Sequence, residues 1–155
     1  AQREHIARLV DAARAAGARI LTGGAAPADP RLASGAFYLP TIITGIDNLA
    51  PIARQEIFGP VLCVLPFRDE EDVVAQANDS VYGLAAGIWT ADYKRAWRVA
   101  RALDAGTVWI NTYKQLSIAT PFGGFKESGY GREKGIAGMR MYQQAKGIYF
   151  GLGHA

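Results

Sequence analysis

Short apolar runs alternate with helical patterns through the middle of the chain, and this alternation limits the possible folds more than any other feature. The apolar runs cover Val61 to Phe67, Leu84 to Trp89 and Thr107 to Ile110, and each has the length of a buried strand. The two segments between them carry apolar residues at helical spacing, and each follows a residue that can cap a helix. This order predicts an α/β fold, with a mostly parallel sheet and crossover helices.

The first part of the chain predicts one helix and two more strands. The apolar positions of an amphipathic helix recur before Gly17, at Ile6, Leu9, Val10 and Ala13. Residues 19–22 then predict a short strand, and the Pro and Gly residues of 25–36 indicate an exposed loop. Residues 37–46 are β-branched and aromatic, and Pro40 suggests that this strand lies at a sheet edge.

Composition indicates a folded domain without a nucleic-acid or membrane signature. The chain has 155 residues, half of them hydrophobic, which is enough for about one domain with a sizeable core. A net charge of +3, spread along the chain, does not predict a nucleic-acid partner. No apolar run approaches the ~18 residues of a membrane helix, so no membrane span is expected. The single cysteine, Cys63, and the absence of a signal-peptide pattern favour a cytoplasmic location.

A carboxylate and an aromatic ring precede a chain breaker at the start of the first apolar run. Glu56 and Phe58 lie just before Gly59-Pro60. A carboxylate in this position can accept two hydrogen bonds from a vicinal diol such as a ribose, and a ring can cover a flat heteroaromatic group. The local pattern also allows a simpler interpretation, in which Glu56 is a solvated charge and Phe58 is a core side chain.

Four motifs in a fixed order make the chain resemble the NAD(P)-dependent aldehyde dehydrogenases. They are Glu56–Val61, Asn78–Gly87, Gly106–Asn111 and Pro121–Glu133. The resemblance covers essentially the whole chain and is weakest at its amino-terminal end. It implies that this chain, which does not begin with Met, is the C-terminal third of such an enzyme. Residues 1–141 would then belong to the catalytic domain, and residues 142–155 would form the oligomerisation strand and tail of a homo-oligomer.

The resemblance also implies a chemistry, the oxidation of an aldehyde to a carboxylic acid with NAD or NADP as the hydride acceptor. By motif matching, Glu56 accepts hydrogen bonds from the nicotinamide ribose, and Phe58 packs near that ribose and ring. Phe122 resembles the aromatic residue that lines the substrate tunnel, although it could equally anchor the glycine-rich loop around it. Leu116 lies in the segment whose residues shape substrate specificity, and it makes that wall apolar.

No catalytic residue is expected within the chain itself. In the family, the nucleophilic cysteine, the oxyanion Asn, the general base and the glycine-rich dinucleotide fold precede the region that this chain resembles. Cys63 lies in an apolar strand, where a buried thiol is inert. His5 and His154 have no partner at a useful spacing, so neither a metal site nor a triad is expected. The chain alone should therefore be inactive. The alternative is a truncated paralogue without catalysis that acts as a binding or assembly module.

Overall fold

The computed structural model describes residues 1–153, and the chain divides into two compact units. The first unit is Ala1–Asp79 and the second is Ser80–Ala155. Each unit has its own helices and strands. Within the described residues, no helix has the length and apolar character needed to cross a membrane.

The first unit packs helices against a three-stranded sheet. Its elements are α1 (Gln2–Ala15), β1 (Arg19–Thr22), a 3₁₀ turn (Pro30–Leu32), β2 (Thr41–Thr44), α2 (Pro51–Arg54), β3 (Val61–Cys63) and α3 (Glu70–Asn78). The strand order is β1-β2-β3, with β1 antiparallel to β2 and β2 parallel to β3. The central strand β2 therefore connects an antiparallel pair to a parallel pair. The edge position suggested by Pro40 is wrong, because Pro40 precedes the strand and removes none of its hydrogen bonds.

The core of the first unit forms between α1 and β2. Ile6, Val10 and Ala13 recur at helical spacing and are the buried residues of α1, as the sequence predicts. They share a cluster with Ile43 of β2 and Ile52 of α2, and the side chains of Val10 and Ile43 are completely buried. Burial of this one helix face fixes α1 on the sheet, while its charged residues remain in solvent.

An ion pair joins the carboxyl ends of α2 and α3. The Arg54 guanidinium donates to both carboxylate oxygens of Asp79, over 2.9 and 3.1 Å. The side-chain amide of Asn48 donates to the Gln76 carbonyl oxygen over 3.0 Å and also reaches Asp79. A bidentate Arg–carboxylate pair has a defined geometry. These contacts therefore hold Arg54, the last residue of α2, in place just before the turn that contains Glu56.

The second unit contains two separate two-stranded sheets. Its elements are β4 (Tyr82–Gly83), β5 (Ala85–Ile88), α4 (Tyr93–Ala102), β6 (Thr107–Ile110), β7 (Phe125–Lys126) and α5 (Gly135–Arg140). β5 is parallel to β6, and β4 is antiparallel to β7. Helix α4 begins at Asp92, whose carboxylate accepts hydrogen bonds from the backbone N–H groups of Lys94 and Arg95. Ala96 and Val99 are its buried residues.

The prediction of one mostly parallel sheet is wrong for the chain as a whole. The parallel pairs are β2–β3 and β5–β6, and each is joined through a helix, α2 or α4. β1 reaches β2 through a loop with one 3₁₀ turn, and it pairs with β2 antiparallel. β7 forms in the segment 111–135, which the sequence indicates as loop. A parallel pair requires a crossover and an antiparallel pair does not. The periodicity found α3 and α4, but α3 connects strands of different sheets, and the short crossover helix α2 was not predicted.

Residues 142–152, where the resemblance implies an oligomerisation strand, form no strand within the described chain. Residues 143–153 have no regular secondary structure, and no described backbone hydrogen bond is donated by residues 144–153. Its large apolar side chains are more than four-fifths exposed, at Tyr142, Ile148, Tyr149, Phe150 and Leu152. A strand needs hydrogen bonds to a second strand, and this segment pairs with none of the strands among the described residues. His154 lies outside the described residues.

Gly106 allows β6 to start against the glycine-rich segment that follows Phe122. A Cβ atom at Gly106 would overlap with the carbonyl oxygen of Gly123, which is backbone and cannot rotate away. We expect Gly106→Ala to lower the free energy of unfolding by about 1–3 kcal/mol, the usual cost of overpacking. Denaturant unfolding measures this loss, with Gly151→Ala as the control because nothing lies within 4 Å of its added Cβ. An equal, small effect of both variants would contradict the close approach.

Candidate functional site

Glu56 and Phe58 lie on a turn that is held by hydrogen bonds to α1 and β2. The side-chain amide of Gln2 donates to the carbonyl oxygens of Ile57 and Phe58, over 3.0 and 3.1 Å. The Thr41 N–H donates to the Pro60 carbonyl oxygen over 2.8 Å. The turn precedes the amino end of β3, and its backbone is fixed although most of its side chains are exposed.

The backbone of Phe58 is strained. Its φ is 52°, in the left-handed region that a bulky residue seldom occupies. Its ring is 79% exposed, so the interpretation of Phe58 as a core side chain is wrong. Such backbone strain costs on the order of 1–3 kcal/mol, and it concentrates at binding and catalytic sites. Here the strain fixes an aromatic ring in solvent beside Glu56, which is also exposed.

Glu56 and Phe58 line the same open cavity. The cavity has a volume of about 500 Å³, and its wall includes Ile52, Val61 and Cys63. This volume lies within the range of small-molecule sites. Glu56 makes no hydrogen bond or ion pair among the described contacts, so both carboxylate oxygens can accept hydrogen bonds from a ligand. The turn therefore presents two free acceptors and one ring face to the same space.

Cys63 contributes a half-buried thiol to this cavity. It is half-buried on β3, and its Sγ lies 3.9 Å from the Ile52 carbonyl oxygen, its acceptor. Burial raises the pKa of the Cys63 thiol. Because the thiolate is the reactive form, the protonated thiol is a poor nucleophile at neutral pH. Partial burial of Cys63 therefore disfavours its thiolate form.

The raised pKa of Cys63 predicts a pH profile for its alkylation. We expect the rate with iodoacetamide in the folded chain to be half-maximal above pH 9.0, the ordinary pKa of a thiol. The same chain in denaturant is the matched control, and its rate should be half-maximal at lower pH because its thiol is solvated. Half-maximal rates at the same pH in both states would contradict the burial effect.

The predicted substrate-side residues lie in the second unit. Phe122 is half-buried and forms a backbone bridge to Glu133, with hydrogen bonds of 2.8 Å in both directions. The ammonium of Lys134 lies 5.9 Å from the centroid of the Phe122 ring. Leu116 is 51% exposed, and nearby Ile118 is 86% exposed. Leu116 and Ile118 therefore present apolar side chains to solvent. Phe122 also makes the backbone contacts that are expected if it anchors the glycine-rich loop.

Asn111 joins the carboxyl ends of the parallel strands β5 and β6. Its side-chain oxygen accepts from the Thr90 N–H and its amide donates to the Thr90 carbonyl oxygen, both over 2.9 Å. Its own N–H donates to the Ile88 carbonyl oxygen over 2.8 Å, and its φ is 53°. Asn111 therefore ties the start of the following loop to the end of β5. Ligands of α/β proteins usually bind beyond the carboxyl ends of parallel strands.

Three aromatic rings meet at this edge, and the sequence analysis did not find them. The aromatic cluster consists of Trp89, Trp109 and Tyr113. The centroid of the Tyr113 ring lies 5.2 Å from that of Trp109 and 6.3 Å from that of Trp89. The usable signal was a Trp near the carboxyl end of each of two predicted neighbouring strands. Within the described residues, no group of three His, Cys, Asp or Glu side chains could hold a metal ion.

The chain as a whole is similar to proteins of one enzyme family. The model of the aldehyde dehydrogenase family matches residues 1–148. The chain therefore belongs to the aldehyde dehydrogenase family. It is 46% identical over 153 residues to the betaine aldehyde dehydrogenase of Sinorhizobium fredii, and 44% identical to that of Agrobacterium fabrum. Each match covers 99% of this chain and 31% of the relative, so the chain spans less than a third of the length of these relatives.

Solved structures of the family have the same fold. Betaine aldehyde dehydrogenase from Staphylococcus aureus, crystallised in complex with NAD⁺, superimposes with a TM-score of 0.88 and 42% identity. That match covers 91% of this chain and 28% of the other. A structure described as an aldehyde dehydrogenase from Burkholderia cenocepacia gives a TM-score of 0.90 and 44% identity, over 94% of this chain and 30% of that one. The mixed sheets and helices are therefore an aldehyde dehydrogenase fold.

Proposed function

We propose that the chain is the C-terminal third of an NAD(P)-dependent aldehyde dehydrogenase. The full enzyme would oxidise an aldehyde to a carboxylic acid through a cysteine thiohemiacetal and a thioester. The order of the four motifs supports this assignment, as does the fraction of the relatives' length that the chain spans. In this proposal the nucleophile lies in polypeptide outside these 155 residues, since Cys63 is a half-buried, protonated thiol.

The first unit contributes the cofactor contact. The observation that carries this part of the proposal is the pairing of Glu56 and Phe58 on one strained turn beside one open cavity. The Glu56 carboxylate would accept hydrogen bonds from the two nicotinamide ribose hydroxyls, and the Phe58 ring would pack against the ribose and the ring. The bound cofactor supplies a hydride acceptor, and these residues orient it. The NAD⁺ complexes of the relatives support NAD.

The second unit contributes the substrate side. Leu116 and Phe122 would line an apolar wall of the tunnel through which the aldehyde reaches the nucleophile. The exposure of Leu116 and Ile118 supports this role, since an apolar loop in solvent is favourable only where it meets a ligand or another surface. Asn111 ties the base of the loop to Thr90 and so keeps this wall in place.

The tail contributes to assembly. Residues 142–155 would form the oligomerisation strand of a homo-oligomer, distinct from catalytic-domain residues 1–141. The exposed apolar side chains of Ile148 and Phe150, together with unpaired backbone N–H groups, support this proposal. Pairing with a sheet edge in a second subunit would satisfy both requirements.

Absorbance at the reduced-cofactor band tests the proposed function. The complete open reading frame that contains this chain should reduce NAD in the presence of an aldehyde, and the 155-residue chain alone should not. Turnover by the isolated chain would contradict the absence of a nucleophile. A complete protein that reduces neither NAD nor NADP with any aldehyde would favour the alternative, a binding or assembly module without catalysis.

A further inference from the structure

The aromatic cluster lies directly on strand β5. A Cβ atom at Gly87 would lie 2.7 Å from the Trp89 ring and 3.6 Å from Tyr113. The Trp89 ring therefore occupies the space beside Gly87 and would have to shift to accommodate a larger residue there. Tyr113 and Trp89 remain 57% and 64% exposed, so their ring faces are accessible at the carboxyl ends of β5 and β6.

The loop after Tyr113 is tied to the cluster. The indole N–H of Trp109 donates to the Gln115 carbonyl oxygen over 2.7 Å. This bond and Asn111 fix both sides of Lys114, whose φ of 57° is unusual for a residue with a long side chain. As a result, the ammonium of Lys114 lies 5.6 Å from the centroid of the Tyr113 ring. Lys114 is therefore held against the cluster rather than extended freely into solvent.

The position that Lys114 occupies is the one that a ligand cation would use. Clustered aromatic rings bind quaternary ammonium groups through the ring faces, and the useful range is about 6 Å from the centroid. A positive charge of the protein already lies within that range. The chain from Gly106 to Lys126 contains no acidic residue, and nearby Asp92 accepts hydrogen bonds at the start of α4. The local charge is therefore positive and repels a second cation.

We propose that Lys114 determines the substrate class of the enzyme, by selecting aldehydes that carry a carboxylate and rejecting those that carry a quaternary ammonium. This inference rests on the proposed function. It adds Lys114 to the substrate-tunnel wall that contains Leu116. The relatives are named for betaine aldehyde, which carries a quaternary ammonium group. At 46% identity, this chain has a lysine on the face of its aromatic cluster, and its ammonium would pair with the substrate carboxylate.

Kinetics of the complete enzyme test the selection. The substrates are a carboxylate-bearing aldehyde, a neutral aldehyde of equal length and a trimethylammonium aldehyde. We expect Lys114→Met to lower kcat/KM for the carboxylate-bearing aldehyde about fivefold, through a higher KM. A loss of this size corresponds to a partly exposed ion pair of roughly 1 kcal/mol. The same variant should improve the trimethylammonium substrate by a similar factor. Lys114→Arg should keep the wild-type preference, and Lys94→Gln, which removes an exposed charge from α4, should have no effect.

A binding measurement on the 155-residue chain separates this proposal from the proposed function, because it needs no turnover. Titration with tetramethylammonium, followed by tryptophan fluorescence, should give saturable binding that is several-fold tighter for Lys114→Met than for the wild type. Equal affinity in both proteins, or an unchanged order of substrates in the Lys114→Met enzyme, would overturn the role of Lys114. If no aldehyde is oxidised at all, the proposed function fails, and the fluorescence titration alone decides whether Lys114 controls access to the cluster.

Discussion

Replacing Glu56 with Ala in the complete enzyme is expected to lower kcat/KM for NAD about 100-fold. The variant removes two hydrogen bonds from a charged group to the ribose hydroxyls, each contributing roughly 1.5 kcal/mol. Glu56→Gln keeps one acceptor and should cost about tenfold on the same scale. Steady-state kinetics with varied NAD, together with the equilibrium dissociation constant of NAD, measure both losses.

The control for Glu56 is another exposed carboxylate of the first unit. Glu71 lies in the first turn of α3, and Glu71→Gln removes the same charge from outside the cavity. It should leave the affinity for NAD unchanged. Since Glu56 is exposed, neither of its variants should alter the free energy of unfolding by more than about 0.5 kcal/mol. Wild-type affinity for NAD in Glu56→Ala would remove the basis for a cofactor site at this turn.

Replacing Ile43 with Ala is expected to lower the free energy of unfolding by roughly 2–5 kcal/mol, the range for truncating a buried aliphatic side chain. Ile43 is completely buried at the centre of β2, where it packs with Val10 and Ile52. Its carbonyl oxygen also accepts from the Val64 N–H over 2.8 Å. Chemical denaturation of the folded chain measures the loss, and the cavity left between α1 and the sheet explains it.

Ile136→Ala is the matched control for this truncation. It removes the same atoms from a side chain that is 70% exposed in α5, so the free energy of unfolding should change by less than about 0.5 kcal/mol. Comparable losses in both variants would show that the core is not centred on β2. A loss confined to Ile43 agrees with the packing of α1 on that strand.

Helices were predictable where apolar residues recur on one face. Strands were predictable where a short apolar run lies between two other predicted elements. Burial of Ile6, Val10 and Ala13 follows directly from their spacing, as does the stop of α1 before Gly17. The short strand β7 was not predictable, because its two residues pair with β4 although β5, α4 and β6 lie between them in the chain. The tail has a strand-like composition, but it pairs with no strand among the described residues.

The candidate cofactor residues were predictable as a pair, but their geometry was not. The motif placed Glu56 and Phe58 together before β3. No pattern indicated that Phe58 has a left-handed backbone or that its ring would be exposed. The aromatic cluster was missed for a similar reason. Periodicity describes which residues share a face of one element, and the contacts of Trp89, Trp109 and Tyr113 join two strands and a loop.

The central claim is that the turn before β3 binds the nicotinamide ribose, and a structure of the complete enzyme with bound NAD tests it most directly. The measurement is the distance from each Glu56 carboxylate oxygen to the nearer ribose hydroxyl. The account predicts two hydrogen bonds of about 2.5–3.0 Å, with the Phe58 ring against the ribose. A well-defined nicotinamide ribose that contacts neither Glu56 nor Phe58 would contradict it.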